Sequence, residues 1–292
     1  MEPYKLTNKV KTLIQHAESR AKSSNRESVG SLDLFLGAAL VKEGTLLEMY
    51  HLIEPYKDQL ESIYEDTPCE KSSLERIVPF TMSLSTKAMR IWKTSVEVMR
   101  RYNQTFLNEG HIIKAFYTHL HENPQLKYEL KGLPHEEIIQ CATTARDLIV
   151  NVVKKDWSYS IDSSILIKQV QHHDQNALTQ FVETHFGKLW SKTLLNGFHP
   201  SHQKIPLVMA SENDEIIGFA AFDVFQNKKG IYGPMGVVPT TRHKGVGKGL
   251  LYTALQKMKE KGYMYALLKE AGPIEFYEKT CEARLIPLEK KR

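Results

Sequence analysis

The chain has 292 residues, a length that fits about two domains and buries enough surface to hold a core without a disulfide or metal staple. Apolar residues make up 41% and charged residues 25%, which excludes a disordered chain or a coiled-coil rod. The net charge of +5 is uneven: residues 1–150 carry 19 basic against 20 acidic side chains and residues 151–292 carry 20 against 14, so the second half favours an anionic ligand.

Three widely spaced cysteines, Cys69, Cys141 and Cys281, make neither a disulfide framework nor a zinc ribbon and suit a reducing cytoplasm. No apolar stretch approaches the ~20 residues that span a bilayer. MEPYKLTNKV has no apolar h-region, so no signal peptide is expected. The basic residues are scattered without interleaved aromatics, which argues against nucleic acid.

The first half reads as helical. Val10, Leu13, Ile14, Ala17 and Ala21 recur at helix spacing behind Thr7, a capping residue. A second apolar run, Leu32 to Leu40, follows Ser31. Sliding the chain along itself until Lys9-Val10 falls on Lys87-Ala88 also puts Leu13-Ile14 on Ile91-Trp92, Asn25 on Asn103 and Leu34-Phe35 on Ile112-Ile113. Two copies of one helical unit predict a pseudo-symmetric bundle. A last helix is expected from Glu136 to about Val152, with Lys154-Lys155-Asp156 as the linker.

The second half changes period. Ile165–Ile167, Leu207–Ala210, Glu215–Phe222, Tyr232–Val238 and Tyr263–Leu268 read as strands, with Glu212-Asn-Asp-Glu215 a hairpin-like turn. Helical patterns at 175–186, 188–195, 246–261 and 274–283 separate them, giving the order βααβββαβα and a mixed sheet.

One segment carries chemistry: Gly236-Val-Val-Pro-Thr-Thr-Arg242-His243-Lys244-Gly245-Val246-Gly247-Lys248-Gly249. A strand ends, a loop with two glycines follows, and a helix begins. Glycines let backbone N–H groups approach an anion, the helix N-terminus adds partial positive charge, and Arg242 and Lys248 add full charges, so the segment is a pyrophosphate cradle. Three readings compete: a dinucleotide, which would want G-x-G-x-x-G and an acid ~20 residues on and finds no clean match here, coenzyme A, and a bare structural turn. A Walker A loop does not fit, because Arg242 stands at its first glycine and Gly249 at its Ser/Thr.

Two resemblances narrow the reading. Leu6-Thr-Asn-Lys-Val10, Ala17, Ala21 and Val29-Gly30-Ser31-Leu32-Asp33-Leu34, echoed by Phe80-Thr81 and Leu107-Asn-Glu-Gly-His111-Ile-Ile, resemble the double repeat of Clp N-terminal domains. The resemblance covers residues 1–152, with repeats at about 5–41 and 83–119. It implies a domain that receives substrates or adaptor proteins. Some members bind phosphoarginine through an acid just before a His in each repeat. This chain has Leu32-Asp33 and Gly110-His111 there, with Asp33 and Glu109 the nearest acids.

Arg242-x-x-Gly245-x-Gly247, preceded by Val237-x-Pro239 and followed by an amphipathic helix, resembles the acyl-CoA motif of GNAT-type N-acetyltransferases over residues 158–292. The implied architecture is an α+β fold with a mixed, splayed sheet behind the all-α bundle. The implied cofactor-binding residues are Val237 and Val238, which pair with pantetheine, and Arg242 through Gly249, which hold the diphosphate. Gly233-Pro-Met-Gly236 would supply the bulge that splays the strands.

Tyr277, in Phe276-Tyr277-Glu-Lys, stands where the family puts the tyrosine that protonates the departing thiolate. Asp223, Tyr232 and Glu270 are the candidates for general base. Cys281, which follows Tyr277 by one helical turn, is a nucleophile candidate that reads more simply as a small buried hydrophobe. His199-x-x-His202 and His172-His173 lack a third ligand, so no metal is expected. Together these features point to a cytoplasmic, bacterial enzyme that acetylates a primary amine from acetyl-CoA, its N-terminal domain recruiting a protein partner or substrate. The alternative is an acyl-CoA-binding sensor without turnover.

Overall fold

The computed structural model describes residues 4–73, 77–102, 104–239 and 245–288. It divides into two compact units, the first ending at Thr144 and the second spanning Ala145–Ile286. Among the described residues no helix is long and apolar enough to cross a membrane.

The first unit holds eight helices: α1 Asn8–Ser23, α2 Ser31–Leu40, α3 Thr45–Ile53, α4 Lys57–Asp66, α5 Thr86–Arg101, α6 Glu109–Leu120, α7 Pro124–Glu129 and α8 His135–Thr143. The caps obey the repeat. Thr7 accepts the Val10 N–H at 3.2 Å through its side-chain oxygen, and Ser85, its repeat mate, accepts that of Ala88 at 3.0 Å. Short strands β1 Lys5–Leu6, β2 Ser28–Val29, β3 Ser83–Leu84 and β4 Phe106–Leu107 pair crosswise, β1 with β4 and β2 with β3. Each copy thus lends a strand to the other, and their apolar faces close one core around Phe35, Trp92 and Phe116. The α1–α2 contact needs a glycine: a Cβ at Gly37 would lie 2.9 Å from the Leu13 carbonyl and the Ala17 nitrogen.

Two expectations change here. The repeat runs past positions 41 and 119, since the offset that carries Lys9 onto Lys87 also carries Lys57, the start of α4, onto His135, the start of α8. The helix expected over 136–152 ends at Thr143, and Arg146–Asn151 is strand β5 of the second unit. Leu148 and Val150 are fully buried in that unit's core, and the boundary therefore falls at 144–145, not between 152 and 158.

The second unit is one seven-stranded mixed sheet. After β5 come β6 Ile165–Gln169, α9 Gln175–Phe186, α10 Lys188–Leu195, β7 Leu207–Glu212, β8 Glu215–Phe222, β9 Ile231–Val237, α11 Val246–Glu260, β10 Tyr265–Ala271, α12 Ile274–Cys281 and β11 Arg284–Leu285. The strand order is β11-β5-β10-β9-β8-β7-β6, antiparallel throughout except for β9 beside β10. The β7–β8 turn has Asn213 and Asp214 both at positive φ, the backbone a tight hairpin needs. One core packs α11 and α12 against the sheet, and a second packs α9 and α10 around Phe219.

Candidate active site

Strands β9 and β10 part company. Their pairing is confined to Ile231 with Leu267 and Tyr232 with Leu268. Beyond it β9 follows β8, while β10 bulges between Leu268 and Ala271 and follows β5. β9 bulges too: Tyr232 and Met235 face Phe222 and Ala220, so β9 holds an extra residue against β8 over this stretch. The glycine–proline bulge anticipated at Gly233–Gly236 lies where the strands separate. The Val238 N–H donates to the Ile217 carbonyl at 3.0 Å and so faces β8. Alternation along an antiparallel strand then turns the Val237 N–H toward the opening.

Helix α11 starts just past the end of β9. Gly245, at φ +78°, is its N-cap and offers no side-chain acceptor, so its first-turn N–H groups keep their pull on an anion. Gly247 points at the opening: a Cβ there would lie 3.7 Å from Phe276 and 3.8 Å from Val237, ordinary contact distances. Gly249 answers to packing, because its Cβ would come within 2.5 Å of Ile167. The Val246 side chain is fully buried, leaving only its backbone to a ligand. The Lys248 ammonium lies 4.7 Å from the Tyr159 ring and 5.2 Å from that of Tyr252. Arg242, His243 and Lys244 fall outside the described residues.

Tyr277 sits on α12 with its ring 5.0 Å from Phe276 and 6.4 Å from Tyr232, and it is 7% exposed. Its hydroxyl makes no hydrogen bond to the described residues, and burial raises its pKa far above the tyrosine range. Cys281 donates its thiol to the Tyr277 carbonyl at 3.2 Å, and burial pushes it up to about 12. A thiol protonated at neutral pH is a poor nucleophile.

The base candidates separate. The Asp223 carboxylate accepts from Gly230 N–H at 2.8 Å, from the Tyr263 hydroxyl at 3.0 Å and from Lys261 at 3.1 Å, which makes it a buried tie between β8, β9 and the approach to β10. The Tyr232 hydroxyl donates to the Met235 sulfur, and burial holds it protonated. Glu270 alone is exposed, on the β10 bulge, its N–H donated to Asp147 at 3.0 Å. Two nearby residues escaped the sequence reading. Asp147 lay inside an expected helix, and Tyr159 had only a structural part, in the approach to the sheet.

In the first unit the two acids near the expected phosphoarginine positions are occupied. Asp33 accepts from the Gly30 N–H at 2.7 Å and the Tyr64 hydroxyl at 2.6 Å, and burial raises its pKa. Its repeat mate His111 accepts the Asn108 N–H in the same helix-capping place. Glu109 lies 3.7 Å from the Lys9 ammonium and 3.4 Å from the Thr45 hydroxyl, all three buried.

The repeat mates of this triad are Ser31, Lys87 and Asn123, so the second site has no acid at the helix position. Those three line a cleft with Arg90 that continues into a groove of about 560 Å³ beside Lys71. The Glu70 carboxylate reaches in to accept the Ser31 N–H at 3.3 Å and its hydroxyl at 2.6 Å.

Residues 171–282 match the family described as Acetyltransferase (GNAT). The match takes in the opening, α11 and Tyr277 and leaves β5 outside. A search of curated proteins matched none. Among solved structures, a GCN5-related glucosamine N-acetyltransferase region of a fungal multi-domain GH3 β-N-acetylglucosaminidase is 16% identical, covering 49% of this chain and 20% of that one, with TM-score 0.40. A GCN5-related N-acetyltransferase from Sphaerobacter thermophilus is 18% identical over 49% of each chain, with TM-score 0.39. The ClpD N-terminal domain from Arabidopsis thaliana is 19% identical, covering 47% of this chain and 92% of that one, with TM-score 0.37. The chain thus spans a fifth of the first of these proteins and half of the second.

Proposed function

We propose that the protein, whose residues 171–282 match the Acetyltransferase (GNAT) family, transfers the acetyl group of acetyl-CoA directly to a primary amine. The observation that carries this reading is the opening between β9 and β10, with the glycine-lined start of α11 at one end and Tyr277 close to its wall.

In this reading the diphosphate lies on the backbone of Arg242 to Lys248. Pantetheine runs along β9 and pairs with Val237; Val238, also expected to pair, spends its N–H on β8. The amine nitrogen attacks the thioester carbonyl carbon, forming the C–N bond while the carbonyl electrons move to oxygen. The Val237 N–H stabilises that oxyanion. Collapse breaks the C–S bond, and Tyr277, kept protonated by burial, donates its proton to the departing thiolate. Glu270 takes the proton that the amine loses. The test is amine-dependent release of free coenzyme A thiol, with Tyr277→Phe impaired.

One observation favours the sensor alternative: β9 carries no carboxylate and Asp223 is fully engaged. Acetyl-CoA binding without thiol release across an amine panel would select it. For the first unit we assign partner recruitment to the groove lined by Lys71, Lys87 and Arg90 together with Glu70 and Glu129, a wall of mixed charge that suits a polar protein segment. Loss of partner capture on Lys87→Glu, with melting unchanged, would support this.

A further inference from the structure

We infer that Tyr159 is a diphosphate-binding residue of the acetyl-CoA site, delivered by an arm that precedes β6 and lies outside the matched domain. The assignment deepens the acetyl-CoA reading and rests on it.

The arm, residues 153–161, is pinned along α11. The Trp157 indole N–H donates to the Val152 carbonyl at 2.7 Å, and its ring meets Tyr252 of α11 edge-on at 5.2 Å. The Lys155 ammonium donates to the Tyr252 hydroxyl at 3.3 Å and to the Thr280 carbonyl at 3.4 Å. Ile161 packs against the core beneath α11. Between these anchors Tyr159 meets Tyr252 edge-on at 5.8 Å. Its ring would touch a Cβ at Gly249 at 3.4 Å, and its hydroxyl occupies the space that a Cβ at Gly245 would need.

The hydroxyl therefore stands at the N-cap of α11, beside the orphan N–H groups of the first turn. It makes no hydrogen bond to the described residues, and the residue is 37% exposed. The Lys248 ammonium over the ring has no carboxylate partner among the described residues. The Tyr159 hydroxyl stands at the start of α11, the Lys248 ammonium lies over the face of the same ring, and neither is paired with an acid among the described residues. A diphosphate fits this end of α11: its oxygens accept from the Tyr159 hydroxyl and the α11 backbone, and the Lys248 ammonium adds positive charge nearby.

The test uses the full chain and three probes: acetyl-CoA, S-acetyl-dephospho-CoA, which keeps the diphosphate but lacks the 3′-phosphate, and S-acetylpantetheine, which lacks both. Tyr159→Phe removes the hydroxyl and keeps the ring for Tyr252 and Lys248. Calorimetry should find the variant about tenfold weaker for the first two probes and equal to the wild-type protein for the third. Equal affinity of variant and wild type for all three probes overturns the assignment. So does a loss that extends to S-acetylpantetheine, which would mean the tyrosine acts through the fold. So does a loss confined to acetyl-CoA, which would place the hydroxyl on the 3′-phosphate. Wild-type protein that binds none of the probes overturns the acetyl-CoA reading itself, and the assignment with it.

Discussion

Gly247→Asp separates binding from folding because its two effects have opposite signs. A Cβ at this position meets Phe276 and Val237 at 3.7 and 3.8 Å, so the side chain enters without a clash. Replacing a helical glycine removes a cost of about 0.5–1 kcal/mol, and an acid in the first turn of α11 gains about 0.3–1 kcal/mol from the helix dipole. Folding stability should hold or rise slightly. The carboxylate, however, projects into the opening beside the proposed diphosphate. Two unit charges at about 5 Å with an effective dielectric constant of about 20 repel by about 3 kcal/mol, or 100-fold or more in affinity. Acetyl-CoA at ~100 times its dissociation constant stabilises the wild-type fold by ~2.7 kcal/mol; for the variant at the same concentration about 0.4 kcal/mol remains. Calorimetric melting of both proteins, stripped of carried-over ligand, with and without acetyl-CoA, reads both effects. A variant that keeps the full ligand-induced shift refutes the placement of the diphosphate. A variant that melts far below wild type refutes the reading of Gly247 as a residue with room to spare.

Tyr277→Phe should lower turnover about 100-fold while leaving acetyl-CoA affinity within about threefold, since the proton is needed only as the thiolate leaves; steady-state kinetics beside calorimetry would contradict this if turnover is unchanged. His111 makes the first unit sensitive to acid. Burial, with Lys114 nearby, pulls its imidazole down to about 4 from an ordinary value near 6.5, so the unfolded chain binds the proton first. Stability is complete above pH 6.5 and falls by about 3 kcal/mol on the way to pH 4, a loss that His111→Gln should escape in urea titrations across that range. A fragment beginning at residue 145 should melt cooperatively and respond to acetyl-CoA. One beginning at residue 158 lacks β5, leaves the β10 edge open and should not melt cooperatively by circular dichroism; equal behaviour of the two would mean β5 is dispensable.

What could be read from the sequence follows the range of the interaction concerned. The caps at Thr7 and Ser85 and the glycines of the α11 loop are local devices, visible because each acts within a short stretch of chain. The internal repeat was visible in α1 and α2 because buried side chains recur there. It faded in the later helices, where Pro124 begins α7 and Thr45 begins α3.

Strand β5 reads as helix in the sequence for a physical reason. Leu148, Val150 and Val152 alternate, but Ile138, Cys141 and Ala142 ahead of them keep helical spacing, and an apolar run this short fits either period. Only its pairing with β10, at the far end of the second unit's sequence, settles the matter. Asp223 looked catalytic because nothing local reveals that Lys261 and Tyr263 converge on it. Tyr159 carried no signal at all, since its position depends on Trp157 and Lys155 finding α11.

The most direct measurement is release of free coenzyme A thiol from acetyl-CoA by the full chain, titrated against a panel of primary amines with mass analysis of the amine. The account predicts thiol release that depends on an amine, matches one acetyl group gained per thiol freed, and falls with Tyr277→Phe. Tight acetyl-CoA binding without amine-dependent release from any member of the panel would contradict catalysis.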